Sequence, residues 1–239
     1  MTGLTFTDYV LALPGIALAL TIHEYFKAVV SYRLGDPYPK LHGRMRGNLK
    51  NHLEPIGFLF MLLYGYGWGL PANTTNTYYK DRKTGTLITY TAPTLINLLF
   101  AFAFFMALLA IKQISYSLGL VLPLNSHGFD QGIQTIGALG YSLKDIFTRE
   151  PLILFITGTL YQIFFIFVRC NLSVAFINLI PIYPLDGAAI LENYLTGETK
   201  YKYVQYKSIL LLILIFLFIS GFINALFDPL ILSLMRPIQ

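Results

Sequence analysis

Residues 178–187 read Asn-Leu-Ile-Pro-Ile-Tyr-Pro-Leu-Asp-Gly, which places Asp186 just after two prolines at the end of an apolar stretch. Proline does not continue a helix, so Pro181 and Pro184 must break the apolar segment 171–185. Broken helices at membrane depth line cavities or binding sites. The alternative interpretation is a surface turn, because Asp-Gly is ordinary turn chemistry.

The composition around this stretch predicts a membrane protein. The chain has 239 residues, of which 55% are hydrophobic and only 12% are charged, whereas soluble domains carry about 25% charged residues. This deficit excludes disorder, a fibrous repeat and an ordinary cytosolic enzyme. We expect one integral membrane domain over residues 1–239. The net charge of +5 fits basic loops rather than nucleic-acid binding, and Cys170, the single cysteine, excludes an internal disulfide.

Apolar segments long enough to span a bilayer predict an all-α polytopic protein with about four to six transmembrane helices. These segments are 9–22, continuing to Tyr32, then 95–111, 151–168, the Pro-broken 171–185, and 208–227. Residues 55–71 are hydrophobic but contain four glycines. We interpret them as a re-entrant hairpin, which is tolerated only where other protein covers its backbone.

The distribution of basic residues predicts the orientation. The chain has no Lys or Arg before Lys27, whereas the loop after the first span is rich in them, with Arg33, Lys40, Arg44, Arg46 and Lys50. The positive-inside rule then puts the N-terminus outside and this loop in the cytoplasm. Residues 112–150 carry few basic side chains and fit outside, while the side of 192–207 stays open.

His23 and Glu24 lie inside the first apolar span. At 1.5 Å per residue, His23 is roughly 20 Å beyond Tyr9, nearer the predicted cytoplasmic face. Ionisable groups within a bilayer are costly and usually mark a functional site. The alternative is that the helix ends early and His23 sits at the interface, although the apolar residues 28–30 argue against it.

The pattern from His23 to Lys27 is His-Glu-Tyr-Phe-Lys, close to the zinc-protease motif H-E-x-x-H. In that motif two His at i and i+4 bind zinc, and the Glu acts as general base on a metal-bound water. In this chain Lys27 replaces the second His.

Together these motifs resemble the site-2 protease family of intramembrane zinc metalloproteases, particularly its small bacterial members without PDZ or CBS domains. Asn171 and residues 178–187 match the family signature N-x-x-P-x-x-P-L-D-G and the Asn before it, without a gap. Other matching stretches are Leu34-Gly35-Asp36-Pro37, Gly43-Arg44, Asn48, His52 to Gly57, Gly67-Trp68, Pro71 and Asn73. The resemblance implies a three-helix core holding zinc, in a bacterial cell membrane, and hydrolysis of transmembrane segments of membrane-anchored substrates.

The resemblance also implies roles for single residues. His23 and Asp186 would bind zinc and Glu24 would be the general base, while Asn97 and Asn178 would contact substrate or the oxyanion. The family's Ala-Gly-Pro stretch appears as Thr91-Ala92-Pro93, however, and Asn97 follows one residue later than usual. The implied partners are transmembrane helices and the lipid bilayer, with no nucleic acid.

Lys27 stands at the third ligand position. A catalytic zinc normally has three protein ligands plus water, and an amine ligates only when neutral, which at pH 7 costs roughly 4–5 kcal/mol. We predict that the Lys27 ammonium instead takes the place of the metal and pairs with Glu24 and Asp186. We expect no replacement ligand from His42, His52 or His127.

Three functions remain open at this point. The first is an intramembrane metalloprotease, and the second is an inactive homologue, a pseudoprotease, that binds membrane helices as scaffold or inhibitor. The third is a small transporter with a polar path through Lys27 and Asp186, but no inverted repeat supports it. Bound zinc favours the first, and a metal-free Lys27–Asp186 pair the second.

Overall fold

The computed structural model describes residues 6–117 and 149–238, and the regular secondary structure in those ranges is entirely helical. The α-helices, with bounds, are α1 (Phe6–Arg33), α2 (Tyr38–Leu41), α3 (Pro55–Tyr64), α4 (Arg82–Ser117), α5 (Arg149–Ile177), α6 (Asp186–Tyr194), α7 (Gly197–Gln205), α8 (Lys207–Ile219) and α9 (Phe222–Met235). The predicted all-α class is therefore confirmed.

Three helices are long and apolar enough to cross a membrane: Tyr9–Arg33, Arg82–Ser117 and Ile156–Ile177. A fourth span exists if α7 and α8, which meet at a bend of 59°, are counted as one. The described residues thus hold three to four candidate spans, which meets the predicted four to six at its lower bound. Most of the predicted outer loop 112–150 lies outside the described residues.

Two predicted boundaries were wrong. The separate spans 151–168 and 171–185 are one helix as far as Ile177, because residues 169–177 contain neither proline nor glycine to end it. The predicted single span 208–227 is interrupted instead. Gly221 adopts a left-handed conformation with φ of 75°, so the chain turns between α8 and α9.

The core consists of α1, α4 and α5, which pack against one another. A Cβ on Gly15 of α1 would lie 2.8 Å from Phe167 Cδ1, so the glycine lets α1 and α5 approach closely. Leu20, Cys170 and Val174 fill this contact. A second apolar cluster around Trp68, Phe165 and Phe218 connects the core to α8 and α9.

The predicted hairpin over 55–71 is a short helix followed by an irregular return. The Glu54 side chain accepts from the Gly57 amide at the start of α3, and Gly65, with φ of 79°, ends the helix. The return then runs close against α3. A Cβ on Gly67 would lie only 2.0 Å from the Gly57 carbonyl oxygen.

Gly67→Ala is therefore expected to lower the free energy of unfolding by about 1–3 kcal/mol, the usual cost of overpacking. The clash is with backbone, which cannot swing aside. Chemical unfolding of the purified protein in detergent would measure the change. Gly47→Ala is the matched control, because nothing lies within 4 Å of a Cβ placed there, and an equal loss in both variants would contradict the expectation.

The structure settles which end of the bundle carries residues 192–207. The Asn193 side chain donates to the Lys83 carbonyl at 3.1 Å, so the end of α6 lies beside the start of α4. Since α4 starts at the same end as the basic loop after α1, the basic residues Lys200, Lys202 and Lys207 belong to that end too. Its orientation relative to the cell stays a prediction.

Candidate active site

His23 lies fully buried where α1, α4 and α6 meet. Its Nε2 is 2.9 Å from Asp186 Oδ2 and its Nδ1 is 2.9 Å from Asn97 Oδ1. The structure therefore brings together two residues predicted to be ligands, which are 163 positions apart in sequence.

A chain of amides fixes the orientation of the His23 ring. Asn97 Nδ2 donates to the Ala19 carbonyl at 3.1 Å and to Asn171 Oδ1 at 2.9 Å, and Asn171 Nδ2 in turn donates to the Phe167 carbonyl. Because the amide nitrogens are committed to these oxygens, Asn97 presents its own oxygen to His23, and Nδ1 is the donor. Asn97 thus acts on the ring, and its predicted contact with substrate stays a prediction.

Asn178 shapes the turn that delivers Asp186. Its side chain donates to the Val174 carbonyl at 2.9 Å, and its own carbonyl accepts from the Gly187 amide at 2.7 Å. A Cβ at Gly187 would lie 2.5 Å from the Leu179 carbonyl oxygen, so only glycine allows this close return. The two prolines and this turn place Asp186 at the first position of α6. A substrate role for Asn178 also stays a prediction.

Lys27 bridges the two carboxylates of the site. Its Nζ lies 2.6 Å from Asp186 Oδ1 and 2.7 Å from Glu24 Oε1, with all three side chains buried. The ring of Tyr90 on α4 covers the ammonium, with its centroid 5.7 Å from Nζ. The pairing expected from the sequence is therefore present, and it joins α1 to α6.

The donor chemistry does not fit a catalytic zinc with three protein ligands. Donor atoms of His23, Glu24 and Asp186 do lie within 4.8 Å of one another. However, both Asp186 oxygens are engaged, by His23 and by Lys27, and the group at the third ligand position is an ammonium without a lone pair to donate.

Neither described histidine outside α1 supplies a substitute ligand. His42 is exposed and its Nδ1 contacts the Tyr38 carbonyl. His52 is buried, but its Nε2 contacts the Arg46 carbonyl at 2.9 Å, and it does not join the cluster. His127 lies outside the described residues.

A cavity of about 220 Å³ opens beside Lys27 and Asp186. Its walls are Tyr90, the segment 71–74 and the turn 183–186, and the ion pair between Lys207 and Glu192, 2.7 Å apart, stands among its lining residues. Thr74 Oγ1 and the Tyr90 hydroxyl are 2.8 Å apart and connect two of these walls. Sequence analysis missed Tyr90, since an aromatic residue in an apolar helix gives no signal of a site.

Asn97→Ala is expected to cost about 1–3 kcal/mol of unfolding free energy, because His23 Nδ1 and Asn171 Oδ1 would be left buried without the partner that Asn97 supplies. Equilibrium unfolding in detergent measures this loss. Asn193→Ala removes a single exposed hydrogen bond and should change stability by about 0.5 kcal/mol or less. The role given to Asn97 would be wrong if the two variants behaved alike.

Comparison with known proteins identifies the family to which the chain is similar. The model of peptidase family M50 matches residues 12–221. "Putative zinc metalloprotease YwhC" of Bacillus subtilis (strain 168) is 28% identical over 206 residues, covering 86% of this chain and 78% of that protein. "Putative zinc metalloprotease Rip2" of Mycobacterium tuberculosis (strain ATCC 25618 / H37Rv) is 24% identical over 224 residues, covering 92% and 70%. No solved structure matches the chain.

The family model covers most of the chain, and the described residues include helices long and apolar enough to cross a membrane. The chain is an integral membrane protein that belongs to peptidase family M50, the family of site-2-protease-type zinc metalloproteases.

Proposed function

We propose that this chain is a non-catalytic member of its family, which binds transmembrane helices of other membrane proteins without cleaving them. The observation that carries the proposal is the Lys27 ammonium, held at 2.6 Å from Asp186 and 2.7 Å from Glu24. The site brings together His23, Glu24 and Asp186, the residues that the resemblance implies, but has a side-chain cation at the position of the third ligand.

This arrangement works against hydrolysis in two ways. Asp186 is neutralised by a cation that belongs to the chain, so its affinity for an added metal falls. Glu24 would have to take a proton from water, but one of its oxygens is held by the ammonium. The same contacts keep α1 and α6 together, since separating a buried ion pair is costly.

Binding of partner helices is supported by the cavity beside Asp186, whose lining includes Tyr90 and Tyr183. A cavity of mixed polar and apolar lining next to a buried charge cluster can receive the main-chain groups of a helix end or an unwound turn, which need hydrogen-bond partners within a membrane. The resemblance to the site-2 protease family implies transmembrane segments as the substrate class, and we infer the same class of partner for this chain.

A zinc-dependent protease is the second candidate function. Its support is the set of His23, Glu24 and Asp186 donor atoms within 4.8 Å of one another. In that case Lys27 would have to leave both carboxylates and lose its proton, which makes this the less favourable candidate.

Zinc content per chain separates the two candidates. The protein is purified in mild detergent, dialysed against a weak chelator and analysed beside Asp186→Ala. We expect substoichiometric zinc that is the same in both proteins, together with crosslinking to transmembrane peptides that are not cleaved. Near-stoichiometric zinc that disappears in Asp186→Ala, with cleaved peptides, would establish the protease instead.

We also propose that residues 1–239 act as one membrane domain in a bacterial cell membrane, with the N-terminus outside and the site near the cytoplasmic side. The clustering of basic loops at one end of the bundle supports this orientation. The test is a Lys200→Cys variant, whose new thiol lies at an exposed position, treated in intact cells with a thiol reagent that does not cross the membrane. No labelling of this thiol is expected, and labelling from outside would contradict the orientation.

A further inference from the structure

A second charged cluster lies on the other side of α5. Arg169 of α5 faces Asp228 of α9, with 3.6 Å between the guanidinium Nη2 and Oδ1. The Arg169 side chain is 28% exposed and that of Asp228 is 29% exposed. Neither residue belongs to the site around His23.

The cluster lies deep in the membrane. Asn171 is hydrogen-bonded to Asn97, which is hydrogen-bonded to His23, so these three are at one level. At 1.5 Å per residue, His23 lies about 15 Å from Arg33 at the basic end of α1. Arg169 precedes Asn171 by two positions and is farther still from that end. A lipid phosphate at this interface is therefore beyond the reach of its side chain.

The two members of the pair differ in how well they are satisfied. Asp228 accepts from the Tyr66 hydroxyl at 2.8 Å and from Asn224 Nδ2 at 3.2 Å. The 3.6 Å contact to Arg169 is too long for a hydrogen bond. Within residues 6–117 and 149–238, the guanidinium has no hydrogen-bond acceptor, although it carries five N–H donors. Such a group in hydrocarbon is costly and calls for a partner.

We propose that the partly exposed surface where α5 meets α9 at Arg169 receives a partner's transmembrane helix that carries an aspartate or glutamate at mid-membrane. A carboxylate can take two parallel N–H donors from the guanidinium, the strongest pairing available to it. Ala225 and Leu232, about one turn on either side of Asp228, are exposed, so the surface beside the cluster is apolar, and the small side chain of Ala225 lets a helix approach. This inference rests on the proposed function and names the chemistry of the partner.

The test uses three synthetic transmembrane peptides that differ at one central position, which is Asp, Asn or Leu in an otherwise Leu-Ala helix. Fluorescence energy transfer in neutral phosphatidylcholine vesicles measures their binding to the full chain. We expect the Asp peptide to bind at least about tenfold more tightly than the Leu peptide. Arg169→Gln should abolish this preference and Arg169→Lys should keep part of it, while Arg236→Gln, which lies on the 3-10 turn after α9, should leave it intact.

A charge exchange keeps the test valid if Arg169→Gln folds poorly. Arg169→Glu should favour a peptide with a central Arg over the Asp peptide. Equal binding of all three peptides to the wild-type chain would overturn the Arg169 site while leaving helix binding in place. Binding of none of them, with no crosslinked helix either, would overturn the proposed function itself. Loss of the preference of the wild-type chain for the Asp peptide when anionic lipid is added to the vesicles would identify a headgroup as the occupant and also overturn the inference.

Discussion

Lys27→His is expected to convert the chain into a zinc protein with near-stoichiometric metal after dialysis against a weak chelator. The new imidazole would stand one helical turn from His23 on the same face of α1, and Asp186 would be released from its ion pair. His23 is already oriented by Asn97, and outer-shell hydrogen bonds of this kind support metal affinity. Zinc per chain, measured by atomic emission, is the readout.

Two controls make this result interpretable. Lys40→His places a histidine on the exposed surface near the end of α1 and should bind no zinc beyond the wild-type amount. Lys27→His combined with Asp186→Ala should lose the metal again. If Lys27→His bound no more zinc than Lys40→His, the rest of the site would not be a preserved metal centre. Cleavage of transmembrane peptides by the variant is a separate readout, because metal binding does not guarantee turnover.

The sequence predicted the parts of the site that depend on local chemistry. Pro181 and Pro184 must break a helix wherever it lies, and a Lys among buried carboxylates must pair with them. The meeting of His23 with Asn97 could not be derived in this way. It depends on the packing of α1 against α4, which no local pattern encodes.

The errors in the fold have a similar origin. Arg169 lies between the predicted spans 151–168 and 171–185, but a charged side chain does not end a helix when the backbone can continue. Its partner Asp228 comes from a helix much later in the chain. Tyr66, which also contacts Asp228, lies in the return after α3, so only the assembled bundle reveals this cluster.

Charged groups within a membrane need partners, and the two charge clusters meet this need in different ways. In the cluster around Lys27, the ammonium contacts two carboxylates at 2.6 and 2.7 Å, and the cation belongs to the chain. In the cluster around Arg169, the carboxylate accepts two hydrogen bonds, but the guanidinium finds no hydrogen-bond acceptor among the described residues. The first arrangement is suited to hold helices together permanently, and the second is suited to a contact that another molecule completes.

Lys27→Met should destabilise the folded protein by about 3–5 kcal/mol, the usual cost of removing one partner of a buried ion pair. Methionine has a similar length but no charge, so Glu24 and Asp186 would remain buried without a cation. Equilibrium unfolding in mixed micelles measures the loss, and the fluorescence of Trp68, the single tryptophan, reports it from a buried position.

The matched control is Lys207→Met, which removes a lysine of comparable geometry, 2.7 Å from Glu192, but with 31% of its side chain exposed. An exposed pair of this kind contributes about 0–1 kcal/mol. Adding Glu24→Gln and Asp186→Asn to Lys27→Met should recover most of the lost stability, because the unpaired charges are then gone. If Lys27→Met cost no more than Lys207→Met, the ammonium would not be what holds α1 to α6, and its place in the site would need another explanation.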